Sequence, residues 1–272
     1  MSVGFSVPVT YISSRDNPLI KELRKLSDSS TAYRKQQRLW LEGDHLCRAA
    51  LERGVQPAMA VFAASFWPLG QQLWGQAAIK NIVISDALLP EISGLESPAR
   101  MGFVVELPAE MPLLPGAASV ILDRVQDAGN VGSILRSAAA FGFGQIIALK
   151  GTAALWSPKV LRAGMGAHFA LRLVEGVELE ALAQLQVPVV VTSSHQGQLL
   201  HQLTGENALP MPCAWALGHE GQGVREDLMS QASLKVRIDQ PGGEESLNVA
   251  AAAAICLYAS SLSQQGRCQE QI

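Results

Sequence analysis

From Ser119 to about Ser260, short apolar runs alternate with helix-patterned segments, and this alternation restricts the possible folds more than any other feature of the chain. Ser119 to Leu122, Gln145 to Leu149, Leu171 to Val174, Val187 to Thr192, Cys213 to Leu217 and Leu234 to Ile238 each read as a strand. Val131 to Phe141 has helical periodicity and closes on Gly142. Ser157-Pro158 caps a second helix, and a last one is expected from Ser246 to about Ser260. Repeated strand–helix alternation predicts an α/β fold, a parallel sheet with helices on both faces.

The first part of the chain is patterned differently. Helices over 17–26 and 44–53 mix with short apolar strands at Ala58 to Phe62, Ile82 to Ser85 and Phe103 to Glu106, which predicts a smaller α/β domain over residues 8–107. Leu107-Pro-Ala-Glu-Met-Pro-Leu-Leu-Pro-Gly116 then places three prolines and a glycine in ten residues. No regular element tolerates that, so residues 108–117 are expected to be a linker between this domain and a second one over 118–264. With 272 residues, 48% of them hydrophobic, the chain is long enough for two cores. Residues 265–272 read as a polar tail.

Four scattered cysteines (Cys47, Cys213, Cys256, Cys268), without a CxxC and without two histidines at ligand spacing, argue for reduced thiols and no metal site. The first residues lack a basic start followed by a long apolar run, and the most apolar stretch, Val249 to Leu257, is too short to span a bilayer. A soluble cytoplasmic protein is expected. Net charge is −3, yet Arg15, Lys21, Arg24, Lys25, Arg34, Lys35 and Arg38 face only Asp16, Glu22 and Asp28 within the same window, a local balance of +4. Asn17-Pro18 opens a helix there, with Leu19, Ile20, Leu23 and Leu26 on one face and Lys21, Arg24 and Lys25 elsewhere. Such a stretch is either an ordinary solvated face or a surface for phosphates.

Three polar, glycine-rich blocks follow strands in the second domain, where an α/β sheet puts its ligands. In Asn130-Val-Gly-Ser-Ile-Leu-Arg136 the position of Asn130 before Val131 suggests a helix cap. Arg136, flanked by Ile134, Leu135, Ala138 and Ala139, is expected to have an anionic partner. In Leu217-Gly-His-Glu-Gly-Gln-Gly223, three glycines in six residues let backbone groups approach a ligand. In Glu245-Ser-Leu-Asn-Val249, Ser246 could cap the alanine-rich helix, or Ser246 and Asn248 with the free helix amides could hold a polar group.

Other chemistries are poorly served. Gly142-Phe-Gly144 and Gly164-Met-Gly166 each give half of a G-x-G-x-x-G, in the wrong context for a dinucleotide fold. The chain has no P-loop and no G-x-S-x-G, and His195 and His201 have no evident nucleophile.

Asp127-Ala-Gly-Asn-Val-Gly-Ser-Ile-Leu-Arg-Ser-Ala-Ala138, Leu217-Gly-His-Glu-Gly-Gln-Gly-Val224 and Glu245-Ser-Leu-Asn-Val-Ala-Ala-Ala252 together resemble the three motifs of the SpoU (TrmH-like) RNA 2′-O-ribose methyltransferases of the SPOUT superfamily, in the family's order. Ile12-Ser-Ser-Arg-Asp-Asn-Pro-Leu-Ile-Lys21 and Arg38-Leu-Trp-Leu-Glu-Gly43 are similar, more loosely, to the L30e-like substrate-binding domain of rRNA members. The resemblance implies a deep trefoil knot in the C-terminal domain, and a homodimer with sites at its interface. S-adenosylmethionine would be held by Thr192, Gly218, Glu220, Gly221, Ile238, Leu247 and Asn248. Arg136, Asn130, Glu220, Ser246 and Asn248 would form the catalytic set, and Arg15, Lys21, Arg24, Lys25, Arg34, Lys35 and Arg38 would contact RNA.

Against the family's usual pattern, Ile238-Asp-Gln-Pro-Gly242 stands for Ile-Pro-Met, His219 for Asn or Ser, Ala250 for Ser and Gly164 for Ser. These departures alter the cofactor loops and leave Asn130, Arg136, Glu220, Ser246 and Asn248 in place. The expected activity is 2′-O-methylation of a ribose in RNA, 23S rRNA first. A tRNA substrate, or RNA binding without catalysis, is the alternative. The 2′-hydroxyl requirement excludes DNA.

Overall fold

A computed structural model describes residues 7–242 and 246–269, the side chains beyond residue 263 apart. The chain forms two compact units. The first runs to Ala109 and includes Trp156–Phe169; the second holds Glu110–Leu155 and the chain from Ala170 onward.

The first unit contains, in order, β1 (Val9–Ile12), α1 (Pro18–Asp28), α2 (Ala32–Gln36), β2 (Arg38–Glu42), α3 (Asp44–Glu52), β3 (Met59–Ala63), α4 (Trp67–Trp74), β4 (Lys80–Ile84), α5 (Leu89–Ile92) and β5 (Met101–Glu106). Its sheet has the order β1-β4-β3-β5-β2; β5 runs antiparallel to both neighbours and the other pairings are parallel. Helix α1 begins where the sequence places it: Asn17 Oδ1 accepts from the Leu19 amide at 2.9 Å and Pro18 occupies the first turn. Ile20, Leu23 and Leu26 form its buried stripe, with Leu19 half-buried. Strand β2 escapes a periodicity reading because four of its five residues are buried, on both faces.

The second unit adds β6 (Ser119–Leu122), α6 (Ala128–Ala140) and β7 (Gln145–Leu149). Helix α7 (Pro158–Gly164) follows and packs in the first unit. The second unit then continues with β8 (Arg172–Val177), β9 (Val189–Thr192), β10 (Gln198–Leu199), α8 (Leu200–Gly205), β11 (Ala214–Leu217), α9 (Glu226–Gln231), β12 (Leu234–Arg237) and α10 (Val249–Gln269). All its strands are parallel, in the order β10-β12-β9-β11-β6-β7-β8. Strands β6, β7 and β11 are buried throughout, as expected of central strands covered on both faces. Helices α6 and α10 pack together, and the fully buried Trp215 donates its indole N–H to Ser260 Oγ at 2.9 Å, fastening α10 to β11. On the other face, Leu182, Leu185, Val224 and Leu228 join the core of Ile121, Ile147, Val191 and Ala216.

Residues 107–118 form no helix or strand, but their second half is fastened to the second unit. Gln145 Oε1 accepts from the Leu114 amide at 2.7 Å, and the Gly116 amide donates to Leu185 O at 2.8 Å. Burial pushes the Cys213 and Cys256 thiols up to about 12, so both are packing groups. Among the described residues no helix is long and apolar enough to cross a membrane.

Candidate active site

Because β6, β11, β9 and β12 are adjacent and parallel, their carboxyl ends share one edge of the sheet. Leu122 is in register with Leu217, Ala216 with Val191, and Thr192 with Val236. Asp123, Gly218, Ser193 and Ile238 therefore begin four neighbouring loops.

The loop after β11 folds back on itself. His219 and Gly223 exchange backbone hydrogen bonds of 3.1 and 2.8 Å, and the Gly221 amide donates to His219 Nδ1 at 3.0 Å. At Gly218 the returning strand passes so close that a Cβ would lie 2.0 Å from Gly223 C and 2.1 Å from Val224 N. Only glycine fits there, while the added atom at Gly221 would meet nothing nearer than 3.9 Å.

A relay of three side chains links the three motifs. Asn130 Nδ2 donates to Glu220 Oε1 at 3.2 Å, and Asn248 Nδ2 donates to Asn130 Oδ1 at 3.0 Å. Asn248 Oδ1 then accepts from the Ala250 and Ala251 amides at 2.9 and 3.2 Å, capping α10. The polarity of the relay follows from its first member, since an ionised carboxylate can only accept. Glu220 turns the Asn130 amide nitrogen toward itself, which leaves the Asn130 oxygen for Asn248 and the Asn248 oxygen for the helix. Burial works against the charge on Glu220. Donors from its own amide, Asn130 Nδ2 and the Asp127 and Gln126 amides outweigh it and hold the carboxyl below its ordinary value.

Two expectations about caps need correction. Asp127, not Asn130, caps α6: its Oδ1 accepts from the Asn130 amide at 2.7 Å, and the helix starts at Ala128. Asn248, not Ser246, caps α10, which starts at Val249. In both places a residue two or three positions from the cap had looked like the cap, because Asp, Asn and Ser are near-equal choices for that position.

A buried clamp that the sequence reading missed holds this edge together. Asp123 is fully buried; its Oδ1 and Oδ2 accept from Arg225 Nε and the Arg225 amide, both at 2.7 Å, and Oδ1 also accepts from Arg124 Nε at 3.2 Å. Arg124, at φ +60°, also donates to Gln222 Oε1 at 3.0 Å, tying the tip of the second loop to the end of β6. A charged pair directly after an apolar strand, Leu122-Asp123-Arg124, was the available signal. Burial raises the Asp123 carboxyl, but the Arg225 bonds outweigh it and the net shift is downward. A depressed carboxyl contributes stability above its unfolded value, near 3.9, and that contribution is lost as pH falls through the folded value. Asp123→Asn is expected to cost about 2 to 3 kcal/mol in urea unfolding at neutral pH, less than for a wholly buried pair because both arginines reach solvent. It should also flatten the acid limb of the stability curve below about pH 4. An unchanged midpoint and acid limb would refute the clamp.

The remaining site candidates are spread along the same edge. Arg136 is exposed on the outer face of α6, about 9 Å along the axis from Asn130. It has no hydrogen-bond or ion-pair partner among the described residues, and Ile134, Leu135 and Ala138 point to the opposite, buried face, so the guanidinium is open to an anionic ligand. Thr192 spends its hydroxyl on Ala216 O at 3.2 Å, so only its backbone remains to face a ligand. Ile238 is half-buried, and Ser246 and Leu247 are exposed. Residues 243–245, including Glu245 of the third motif, lie outside the described residues. At the end of β12 two buried polar atoms, Arg237 Nε and Gln240 Oε1, have no partner among the described residues.

In the first unit, most of the basic stretch is internally paired. Arg15 and Arg24 meet Glu91, Lys21 meets Asp16 at 3.1 Å, and Arg38 lies between Glu22 at 3.3 Å and Glu106 at 3.2 Å. Glu91 and Glu106 fall outside the sequence window, so the cluster's balance in space is +2, seven bases against five acids.

Glycine-rich and amide-lined loops gathered on the carboxyl edge of a parallel sheet define an α/β protein that takes a small polar ligand at that edge. The chain belongs to the SpoU rRNA methylase family, whose profile matches residues 117–258 and so contains all three motifs. A second profile, the MRM3-like substrate binding domain, matches residues 17–101, the region expected to be L30e-like. An uncharacterised tRNA/rRNA methyltransferase of Synechocystis is 31% identical over 266 residues, covering 92% of this chain and 93% of that protein. The 23S rRNA (guanosine(2553)-2′-O)-methyltransferase RlmP of Bacillus subtilis is 28% identical, covering 91% and 97%. The crystal structure of an AdoMet-bound rRNA methyltransferase from Sinorhizobium meliloti superposes with a TM-score of 0.78 at 25% identity, covering 93% of this chain and 97% of that one.

Proposed function

We propose that this protein methylates the 2′-oxygen of a ribose in ribosomal RNA, with S-adenosylmethionine as donor. The observation that carries the reading is the relay Glu220–Asn130–Asn248, which makes one structure of three sequence-distant motifs. RlmP supports an rRNA substrate, and the AdoMet-bound neighbour supports the donor.

The residues present suit that donor. Gly218 to Gly223 offers backbone groups with open space at Gly221, and Arg237 Nε and Gln240 Oε1 are buried polar atoms without partners among the described residues. We assign Thr192, Gly218, Gly221, Ile238 and Leu247 to the pocket, with Glu220 and Asn248 bracing it. When bound, S-adenosylmethionine supplies an electrophilic methyl group on a sulfonium. The chain must align the 2′-hydroxyl in line with it and ease loss of the proton, and much of the rate comes from such positioning. Arg136 holds the target phosphate and lowers the cost of ionising the neighbouring hydroxyl. A guanidinium, with a pKa above about 12, does not take the role of a base at neutral pH. Asn130, Ser246 and Asn248 orient the target nucleotide beside it.

We further take the protein as a cytoplasmic homodimer with the family's trefoil knot, an RNA-binding domain over 8–107 and a methyltransferase domain over 118–264. The exposed apolar side chains Ile255, Tyr258 and Leu262 on α10 are consistent with a partner subunit there. Calorimetry with S-adenosylmethionine, followed by transfer of labelled methyl groups to ribosomal RNA, tests the reading. Saturable binding and a 2′-O-methylated nucleotide are expected. Failure to bind the cofactor would refute the enzyme, and transfer to tRNA alone would move the substrate.

A further inference from the structure

Pairing within the basic stretch raises the question of which cations in the first unit remain available to an RNA. Arg15, Lys21, Arg24 and Arg38 each sit on a carboxylate, so a phosphate binding there must compete with it. Besides Arg34, whose guanidinium lies over the Tyr33 ring at 5.4 Å, two other arginines are held differently. The Arg100 guanidinium lies over the Phe66 ring, 4.8 Å from its centroid, and Arg48 lies over Trp74 at 5.4 Å. Both arginines are exposed, and neither has an ion-pair partner among the described residues. Asp44 and Glu52, a turn either side of Arg48 on α3, form no ion pair with it.

Resting on the rRNA reading above, we propose that Arg48 and Arg100 form the phosphate-binding ridge by which the first unit grips RNA. Stacking fixes each guanidinium plane on an aromatic face and leaves its N–H edges free, and those edges match phosphate oxygens bidentately. The aromatic partners are themselves anchored. Phe66 precedes α4 and Trp74 ends it, eight residues or about 12 Å apart along the axis. Trp74 is buried and stacks edge-on against the fully buried Phe103, and Phe66 is half-buried. The two cations, from α3 and from the residue before β5, are thus pre-positioned against rings at the two ends of one helix, a spacing that suits different phosphates, and little side-chain entropy is lost on binding. By contrast, Lys25 and Lys35 of the α1–α2 stretch, without ion-pair partners among the described residues, are long exposed side chains with no ring beneath them.

The test compares three full-length variants with the wild type in binding to protein-free ribosomal RNA over a salt series. Arg48→Gln/Arg100→Gln should weaken binding by about tenfold at moderate salt. It should also reduce the slope of log affinity against log salt by about 1.5, roughly 0.7 to 0.9 for each lost phosphate contact. Lys21→Gln/Arg24→Gln/Lys25→Gln should change affinity by less than about threefold. Arg48→Lys/Arg100→Lys, which keeps the charge and loses the stacked fork, should fall between the wild type and the double glutamine variant. S-adenosylmethionine affinity, measured on the same samples, should be unchanged in all variants and shows that they are folded. Wild-type affinity in the double glutamine variant, or a larger loss in the α1 variant, would overturn the ridge and leave the rRNA reading standing. A wild-type protein that binds no ribosomal RNA would instead remove that reading, and the ridge with it.

Discussion

Arg136→Ala is expected to lower methyl transfer by at least about a hundredfold while changing S-adenosylmethionine affinity by less than about twofold. The split follows from where Arg136 sits. It lies on the exposed face of α6 with Ser133 and Ala140, and no described residue bonds to it. Truncation therefore strands no buried group, and stability should stay within about 0.5 kcal/mol. Nothing in the relay or the second loop depends on it, so the cofactor pocket should be indifferent. A cation that holds the target phosphate and also stabilises charge developing on the ribose oxygen is worth more in the transition state than in the ground state, so its loss lowers kcat and lowers kcat/KM further. Arg136→Lys keeps the charge without the planar fork and should recover part of the rate. Single-turnover kinetics beside calorimetry gives both numbers. A large loss of cofactor affinity, or an unaffected rate, would take Arg136 out of the reaction.

Gly218→Ala should have an even broader effect, removing measurable cofactor binding and costing about 2 to 4 kcal/mol of stability. Its Cβ would fall 2.0 Å from Gly223 C, 2.1 Å from Val224 N and 2.4 Å from Gly223 O, all backbone atoms that cannot swing aside as a side-chain tip does. Relief requires opening the His219–Gly223 pair, which displaces Glu220 and with it the polarity of the relay. Gly221→Ala is the informative control. Its methyl group enters open space, so the fold should be kept, and any loss of cofactor affinity reports directly on backbone approach at that position. A Gly218→Ala protein with normal cofactor affinity would show that this loop is not the cradle.

Most elements could be read locally. Strands β6, β7 and β11 and helices α1 and α6 appear within a few residues of their expected bounds, because apolar runs and 3.6-residue stripes are short-range signals. The reading failed where no period exists. Strand β2 is buried on both faces, and β10 has only two residues. Helices α8 and α9, of six residues each, are too short for a stripe. The departures from the family pattern have one legible consequence. His219 accepts from the Gly221 amide through Nδ1, a turn-forming bond that an Asn or Ser side chain can also make, so the loop keeps its shape with a different residue.

The sequence by itself determined the α/β class and the three loop-forming motifs that carry Asn130, Glu220 and Asn248. Motif spacing and glycine content are local properties, and they survive translation into structure without knowledge of topology. Only the tertiary structure decided how those groups are used. Glu220 meets Asn130 across 90 residues, Asn248 meets Asn130 across 118, and the Asp123–Arg225 clamp spans 102. The same holds for charge, since Glu91 neutralises Arg24 from 67 residues away. Such pairings depend on strand order, and parallel strands joined by crossovers can be ordered in many ways that leave each local pattern unchanged. Hydrogen-bond polarity and the charge left exposed to RNA are therefore properties of the assembled sheet, not of any stretch of the chain.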